Sequence, residues 1–427
     1  MASKKKNNPW IVFLAIFLAF IVGNLTGTDS KFFGITYYSI FDILGTLFIR
    51  ALTLVVVPLV LSSIISGIAR IGGDKSFKSI SLKTLGFYMT TTLSAVLIGL
   101  VCVNLFEPGN SEALRQSLES QNLPSIDKHL AAQESIGLTP LLLSIIPSNI
   151  LDALARGEML ALIFFGIIFG YSLSKVDGEG AKTIRNAFEG LFQVMLRITQ
   201  LLMKCLPFGV FCLVAKVAAN TGFESLSSLA LFFITVLTGL LIFSVVILPI
   251  FLKFIAKVSP LAHFKAMTPA LITAFSTSSS SATLPITMDC VEKRMGVSNR
   301  ICSLVIPLGN SLNMSGSALY ECVGALFIAQ VYGISLPFSA QIIFVALALL
   351  TSMGVAGIPA ASLVAIVVIL KAFGLPAEGI GLFLAVDRIL DMCRTTVNVL
   401  SDSCCAVLVA KSEGEKDILT KKNIDLI

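Results

Sequence analysis

Apolar segments long enough to cross a lipid bilayer follow one another along almost the whole chain, and few folds can accommodate them. A transmembrane helix needs about 17–25 mostly apolar residues. Residues 10–27, 40–70, 82–106, 138–174, 187–217 and 225–257 all meet that requirement. Hydrophobic types make up 56% of the 427 residues and charged types only 13%, with a mean hydropathy of +0.91. Soluble domains carry about 25% charged residues. A soluble enzyme, a disordered chain and a coiled coil are therefore excluded. The apolar runs do not alternate with period two, as the strands of an outer-membrane barrel would. The chain reads as an all-α polytopic membrane protein.

Charge placement orients it. Basic residues gather in cytoplasmic loops of membrane proteins, so the net charge of +6 signals topology and not nucleic acid. Lys4–Lys6 precede the first apolar run, which resembles a signal peptide but is read as a retained first span. Arg70, Lys75, Lys78 and Lys83 follow the second span; Lys175, Lys182 and Arg185 the fourth; Lys253, Lys257 and Lys265 the sixth. The acidic stretch 107–137 lies on the opposite side, as an extracytoplasmic loop. Eight full spans, with both termini in the cytoplasm, satisfy this alternation. Short termini and compact loops fit a bacterial inner membrane. The nine cysteines show no CxxC spacing and lie mostly in apolar runs, so they read as small buried residues.

The last 170 residues do not resolve into simple spans. Residues 259–295 have basic flanks at both ends and the break Thr277–Ser281 in the middle. That pattern predicts a re-entrant hairpin entering from the cytoplasm. Residues 337–371 repeat it around Ser352–Pro359, entering from the other side. Each hairpin precedes a full span, 297–333 and 376–410. Non-helical backbone at membrane depth survives only where it lines protein or a water-filled cavity. Hairpin–span units of opposite entry are the organisation of an inverted-repeat secondary transporter.

The last span carries Asp387, Asp391, Thr395, Asn398 and Asp402 at spacings of four, four, three and four, one stripe of a helix. Arg394 lies on the same side. A charged group at span centre costs about 2.5–3.5 kcal/mol on insertion scales, so such a stripe needs a reason. One reason is a structural ion-pair network. The other is a ligand: a guanidinium fork suits a carboxylate, Asp391 suits an ammonium, and together they suit an acidic amino acid. Asp402 and Asn398 are oxygen donors for a hard cation. In the seventh span, Pro307–Ser317 is dense in Gly and Asn, which predicts local unwinding that frees carbonyls for a cation, or else tight small-residue packing. Ser278–Ser281 offer hydroxyls and N–H groups near a helix start.

These segments, TSSSSATLPIT (277–287), NMSGSALY (313–320), SMGVAGIP (352–359) and LDMCRTTVNVLSD (390–402), resemble the dicarboxylate/amino acid:cation symporter family. The resemblance covers essentially the whole chain. It implies a homotrimeric elevator transporter with eight transmembrane helices plus two re-entrant helical hairpins. Residues 1–81 and 138–224 would form the scaffold, and 82–106 with 225–427 the mobile transport core. Arg394 would hold the substrate's side-chain carboxylate and Asp391 its ammonium. Thr395, Asn398, Ser317, Ser278 and Ser280 would complete the pocket, under a gate at Ser352–Ser362 that includes Ile358 and Ser362. Three sodium sites are implied. One uses Asp402, Asn313 and carbonyls of Gly309 and Asn398. A second uses Ser311, Met314, Ser352, Met353 and Val355. A third uses Tyr88, Thr91, Thr92 and Asn313.

The departures are informative. Ser315 stands where the family motif usually has an aspartate, so the third sodium site is expected to be lost or weak. Ser278 and Met392 stand where many members have a second arginine, and Ser362 where glycine is common. The leading expectation is a sodium-coupled importer of L-glutamate or L-aspartate, embedded in membrane lipid. A proton-coupled glutamate/aspartate or C4-dicarboxylate carrier is the alternative. An aspartyl protease lacks a GxGD element, and a serine hydrolase lacks a base, since His129 and His263 lie away from the serine tip. A channel has no use for a paired clamp such as Asp391 and Arg394.

Overall fold

The computed structural model describes residues 9–32, 35–71, 78–110, 146–156, 159–221, 225–334, 336–352 and 361–419. Helix α1 (Pro9–Thr26) connects to α2 (Tyr37–Ile71) through a ladder of two-residue strands, β1 (Lys31–Phe32) and β2 (Ile35–Thr36). There follow α3 (Lys78–Phe106), α4 (Ile150–Arg156), α5 (Met159–Lys175), α6 (Glu179–Leu202), α7 (Leu206–Thr221) and α8 (Ser225–Ile242). The expected span 187–217 is broken by a 3-10 turn at Met203–Cys205 just before Pro207, which opens α7. Proline is tolerated in a helix's first turn, where its missing N–H has no partner to lose. Beyond α8 the chain passes through π-turns at Phe243–Ile247 and Phe251–Ile255, on either side of Pro249. The wider register accommodates a ring that clashes with regular α-helical bonding.

The second half is built from broken helices. α9 (Pro260–Thr277) and α10 (Ser280–Asp289) form the first hairpin, and α13 (Phe338–Ser352) and α14 (Ala361–Ala372) the arms of the second. Between them α11 (Asn299–Leu312) and α12 (Ser315–Val331) are interrupted at Asn313 and Met314, where the unwinding was expected. A 3-10 segment, Ala377–Leu382, leads into α15 (Leu384–Ser412). The serine run explains the first tip. Ser278 adopts a left-handed conformation (φ 49°) that closes α9, and the Ser279 side chain accepts from the Ala282 N–H (3.2 Å) to cap α10.

Packing falls into two groups. α1 lies on α7, and α2 on α5, α6 and α7. α12 is surrounded by α3, α13, α14 and α15, while α9 and α11 lie on α15. The two groups meet at several places, among them α14 on α2, Ala377–Leu382 on α7, α15 on α1 and α7, and α11 on α2. Large apolar side chains point outward, including Leu25, Leu54, Leu105 and Phe338, each more than 70% exposed. Among the described residues three helical stretches are long and apolar enough to cross a membrane: Ile80–Phe106, Leu229–Ile255 and Asn299–Val331. The third is also the most buried, so its apolarity serves the interior more than the lipid.

The end of the described chain is strapped to the first hairpin. Glu415 accepts from the Ser298 N–H (3.1 Å) and from its hydroxyl, and the Leu419 N–H donates to the Met295 carbonyl (2.8 Å). Lys83 at the start of α3 pairs with Glu413 (2.6 Å) and donates to the Ser412 carbonyl. Hydrogen bonds to charged groups contribute about 1.5–3 kcal/mol, less at exposed sites. We expect Glu415→Ala to lower the unfolding temperature in detergent by about 2 °C while substrate affinity is unchanged. Thermal unfolding and substrate titration of the same sample check this.

Candidate functional site

The five stripe residues occupy one uninterrupted helix, α15, and all are buried. Arg394 is fully buried and sits against the α12 side, its guanidinium carbon 3.7 Å from the centre of the Tyr320 ring. That ring belongs to an aromatic box with Phe232, Phe327 and Phe383. The box gives the guanidinium a rigid, π-rich floor. Its forks are closed on carboxylates of its own helix: Nη2 donates to Asp391 Oδ1 (2.8 Å) and Nη1 to Asp387 Oδ1 (3.2 Å). Asp387 also accepts from the Tyr320 hydroxyl (2.7 Å). The two side chains assigned by resemblance to opposite ends of a substrate are thus paired with each other. An incoming carboxylate and ammonium would exchange that internal pair for two external ones.

One turn further along α15, Asn398 ties the helix to the break in α11–α12. Its Oδ1 accepts from the N–H groups of Gly316 (2.8 Å) and Ser317 (3.3 Å), and its amide donates to Ser317 Oγ (3.0 Å) and Met314 Sδ (3.3 Å). The break itself exposes these groups, because Asn313 and Met314 leave helical geometry. Thr395 is buried on the same face.

A second cluster lies below. Asn313, fully buried, donates to Asp402 Oδ1 (2.9 Å) and to Ser401 Oγ (3.1 Å). Its Oδ1 is approached by the hydroxyls of Thr91, Thr92 and Ser315, each at 3.2 Å. Ser315 also contacts Ser401 (3.1 Å). The Tyr88 hydroxyl donates to the Val305 carbonyl, and Gly309 lies so close that an added Cβ would stand 2.5 Å from Asp402 Oδ1. Thr91 also bonds back to its own backbone, to the Phe87 carbonyl (2.9 Å). Among the described residues no group of three or more His, Cys, Asp or Glu could hold a metal ion. The donors here are hydroxyls, amides, carbonyls and one carboxylate, a set that fits an alkali cation and not a soft metal.

Other expected residues are less centrally placed. Ser278 and Ser280 are buried at the first hairpin tip, next to α15 by the packing of α10, and the Ser278 hydroxyl has no partner among the described residues. Ser281 instead pairs with Asn310. Ser311 lines a small cavity of about 20 Å³ with Ser66, Gly67, Glu189 and Pro307, between α2, α6 and α11. Ser352 is buried with its hydroxyl on the Leu349 carbonyl (2.9 Å), and Ser362 is buried at the start of α14. Met353, Val355 and Ile358 lie outside the described residues.

Sequence reasoning missed three members. Glu321 is fully buried, with Oε2 accepting from Thr351 (3.0 Å) and Oε1 without a partner. It joins the second hairpin to α12. Its signal was a lone carboxylate inside an apolar run. Tyr320 was visible only as part of a motif. Arg388, next to Asp387, falls outside the four-four-three-four stripe yet is buried at 9% exposure.

Comparisons with known proteins give the family. The sodium:dicarboxylate symporter family matches over residues 11–412. The proton/sodium-glutamate symport protein of Geobacillus stearothermophilus is 34% identical over 415 residues, 96% of each chain. The proton/glutamate-aspartate symporter of Escherichia coli (strain K12) is 33% identical, over 98% of this chain and 95% of its own. Excitatory amino acid transporter 3 of Homo sapiens is 32% identical, over 98% of this chain and 87% of its own. With a match over nearly its full length, the chain belongs to the sodium:dicarboxylate symporter family.

Proposed function

We propose that this protein is a secondary active symporter that imports L-glutamate or L-aspartate together with sodium. One observation carries the reading. A fully buried guanidinium and a carboxylate 2.8 Å apart lie on one helix turn, against unwound backbone. A dicarboxylic amino acid offers the complementary pair. Its side-chain carboxylate takes the Arg394 fork, and its ammonium takes Asp391. Asn398 and Ser317 supply amide and hydroxyl groups to the remaining polar atoms. Sodium would be held at Asp402 and Asn313 with the Gly309 carbonyl, and its charge there would compensate the negative charge brought in by the substrate.

The two packing groups support an elevator in which α3 and α8 to α15 move against α1, α2 and α5 to α7. The outward apolar faces support a bilayer setting and contact with further copies in a homotrimer. By the charge alternation both termini are cytoplasmic in a bacterial inner membrane. Proton coupling is the second reading, and Glu321 favours it. A fully buried carboxylate with one oxygen unpartnered is suited to taking up and releasing a proton. Uptake of labelled L-aspartate and L-glutamate into proteoliposomes, under a sodium gradient in one set and a pH gradient in another, tests both. Sodium-driven uptake is expected. Uptake driven only by protons would withdraw the sodium assignments and leave the substrate pocket standing.

The cluster around Asn313 Oδ1 bears on stoichiometry. Its other oxygens, on Thr91, Thr92 and Ser315, are neutral. In a low-dielectric interior a neutral cage gives a monovalent cation far less than a carboxylate does. We expect Ser315→Asp to raise the number of sodium ions moved per substrate, measured from reversal potentials in proteoliposomes. An unchanged ratio would show that the wild-type cage already holds its ion.

A further inference from the structure

Arg388 is a second buried guanidinium beside the proposed substrate pair, and neither the stripe nor the family motif accounts for it. Its Nη1 lies 3.5 Å from Asp391 Oδ2, on the carboxylate oxygen opposite the one that Arg394 holds at 2.8 Å. Asp391 is therefore flanked by two positive charges. Together with Asp387, the local count is two carboxylates and two guanidiniums. Both guanidiniums also keep a buried Nε–H without a partner among the described residues. A buried donor left unmade is costly and calls for an explanation. Two idle donors on either side of one carboxylate are explained if the pocket accepts more negative charge than a single clamp would hold.

We propose that Arg388 is a specificity-determining residue, which shields Asp391 and so admits dicarboxylates that lack an ammonium group alongside acidic amino acids. This rests on the assignment of Asp391 and Arg394 to the substrate. The physical argument is one of differences. An ammonium-bearing substrate is drawn to Asp391, and a plain dicarboxylate is repelled by it. Shielding by Arg388 reduces both effects, so it narrows the gap between the two classes. At 3.5 Å the Arg388 contact is long for a charge-assisted bond, so Arg388 shields Asp391 without forming the close pair that Arg394 makes with it.

The test is competition in proteoliposomes made with the full-length protein. The half-saturating concentration of labelled L-aspartate and the inhibition constant of unlabelled succinate are measured for wild type, Arg388→Gln and Arg388→Lys. Succinate is expected to compete in the wild type. In Arg388→Gln the ratio of succinate inhibition constant to aspartate half-saturation should rise about tenfold, and Arg388→Lys should restore the wild-type ratio. A structural role alone would weaken both ligands equally and leave the ratio unchanged, which overturns the proposal. Failure of succinate to compete with the wild type overturns it as well. Absence of aspartate uptake by the wild type would instead overturn the functional reading beneath it.

Discussion

Replacing Arg394 with alanine is expected to abolish transport of acidic amino acids, with substrate affinity falling on the order of 100-fold to 1,000-fold, equivalent to about 3–4 kcal/mol. Two losses combine. On the proposed reading the substrate's side-chain carboxylate loses the Arg394 fork, and among the described residues no other cation lies over the Tyr320 ring against which that fork is held. Asp387 and Asp391 also lose the donors at 3.2 and 2.8 Å that hold them in the interior. The second loss threatens folding, because removing one member of a buried ion-pair network is strongly destabilising, although Asp387 keeps the Tyr320 hydroxyl and Asp391 the Arg388 contact. Arg394→Lys separates the two. It keeps a positive charge on the stripe but replaces a planar fork with a point charge, so the fold should survive and bidentate recognition should not. We expect Arg394→Lys to unfold within a few degrees of the wild type and to lose acidic amino acid binding by more than tenfold. Isothermal titration on the purified protein, with thermal unfolding in parallel, reads both. Wild-type affinity in Arg394→Lys would remove Arg394 from the pocket.

The stripe on α15 was legible in the sequence because helical geometry alone brings residues three and four apart onto one face. Asp387, Asp391, Asn398 and Asp402 needed no knowledge of the rest of the fold. The break at Asn313 and Met314 was legible for a related reason: Gly and Asn are poor occupants of an apolar helix, and their density marks where it ends. What could not be read was the pairing across elements. Tyr320 under Arg394, Thr351 on Glu321 and Thr92 on Asn313 are contacts between residues tens to hundreds of positions apart. No local period encodes them. Arg388 illustrates a different limit. It lies three residues before Asp391, a spacing that brings the two side chains together on the helix, but it directly follows Asp387 and so is not a member of the four-four-three-four series. The expected span 187–217 is interrupted just before Pro207, since hydropathy registers length and not hydrogen-bond register, whereas 225–257 matches the apolar helical stretch Leu229–Ile255, which changes register but does not break around Pro249.

Asp402→Asn should raise the sodium concentration needed for half-maximal uptake about 100-fold. The substitution keeps the shape of the side chain and removes one unit of negative charge from a site that is 3% exposed. At an effective dielectric of about 20, a charge about 4 Å from a cation contributes about 4 kcal/mol, so even a fraction of that term is a large shift. Asp402 also accepts the Asn313 amide at 2.9 Å, which an asparagine can still do through its oxygen, and the local fold should therefore hold. Gly309→Ala reaches the same site by a different route. Its Cβ would stand 2.5 Å from Asp402 Oδ1, closer than real contacts allow, and a tight 3.0 Å from the Tyr88 hydroxyl. The α11 backbone is held in its helix, so the carboxylate must move off Asn313 while its charge is retained. If sodium sits at this carboxylate, charge removal and steric displacement should converge: weaker sodium activation, with L-aspartate binding at saturating sodium much less affected. If protons alone drive transport, neither variant will change sodium activation, because there will be none, and Glu321→Gln will be the substitution that uncouples uptake from the pH gradient. Sodium activation curves for the three variants, recorded in the same proteoliposome preparation, distinguish an alkali-cation site at Asp402 from a proton site at Glu321.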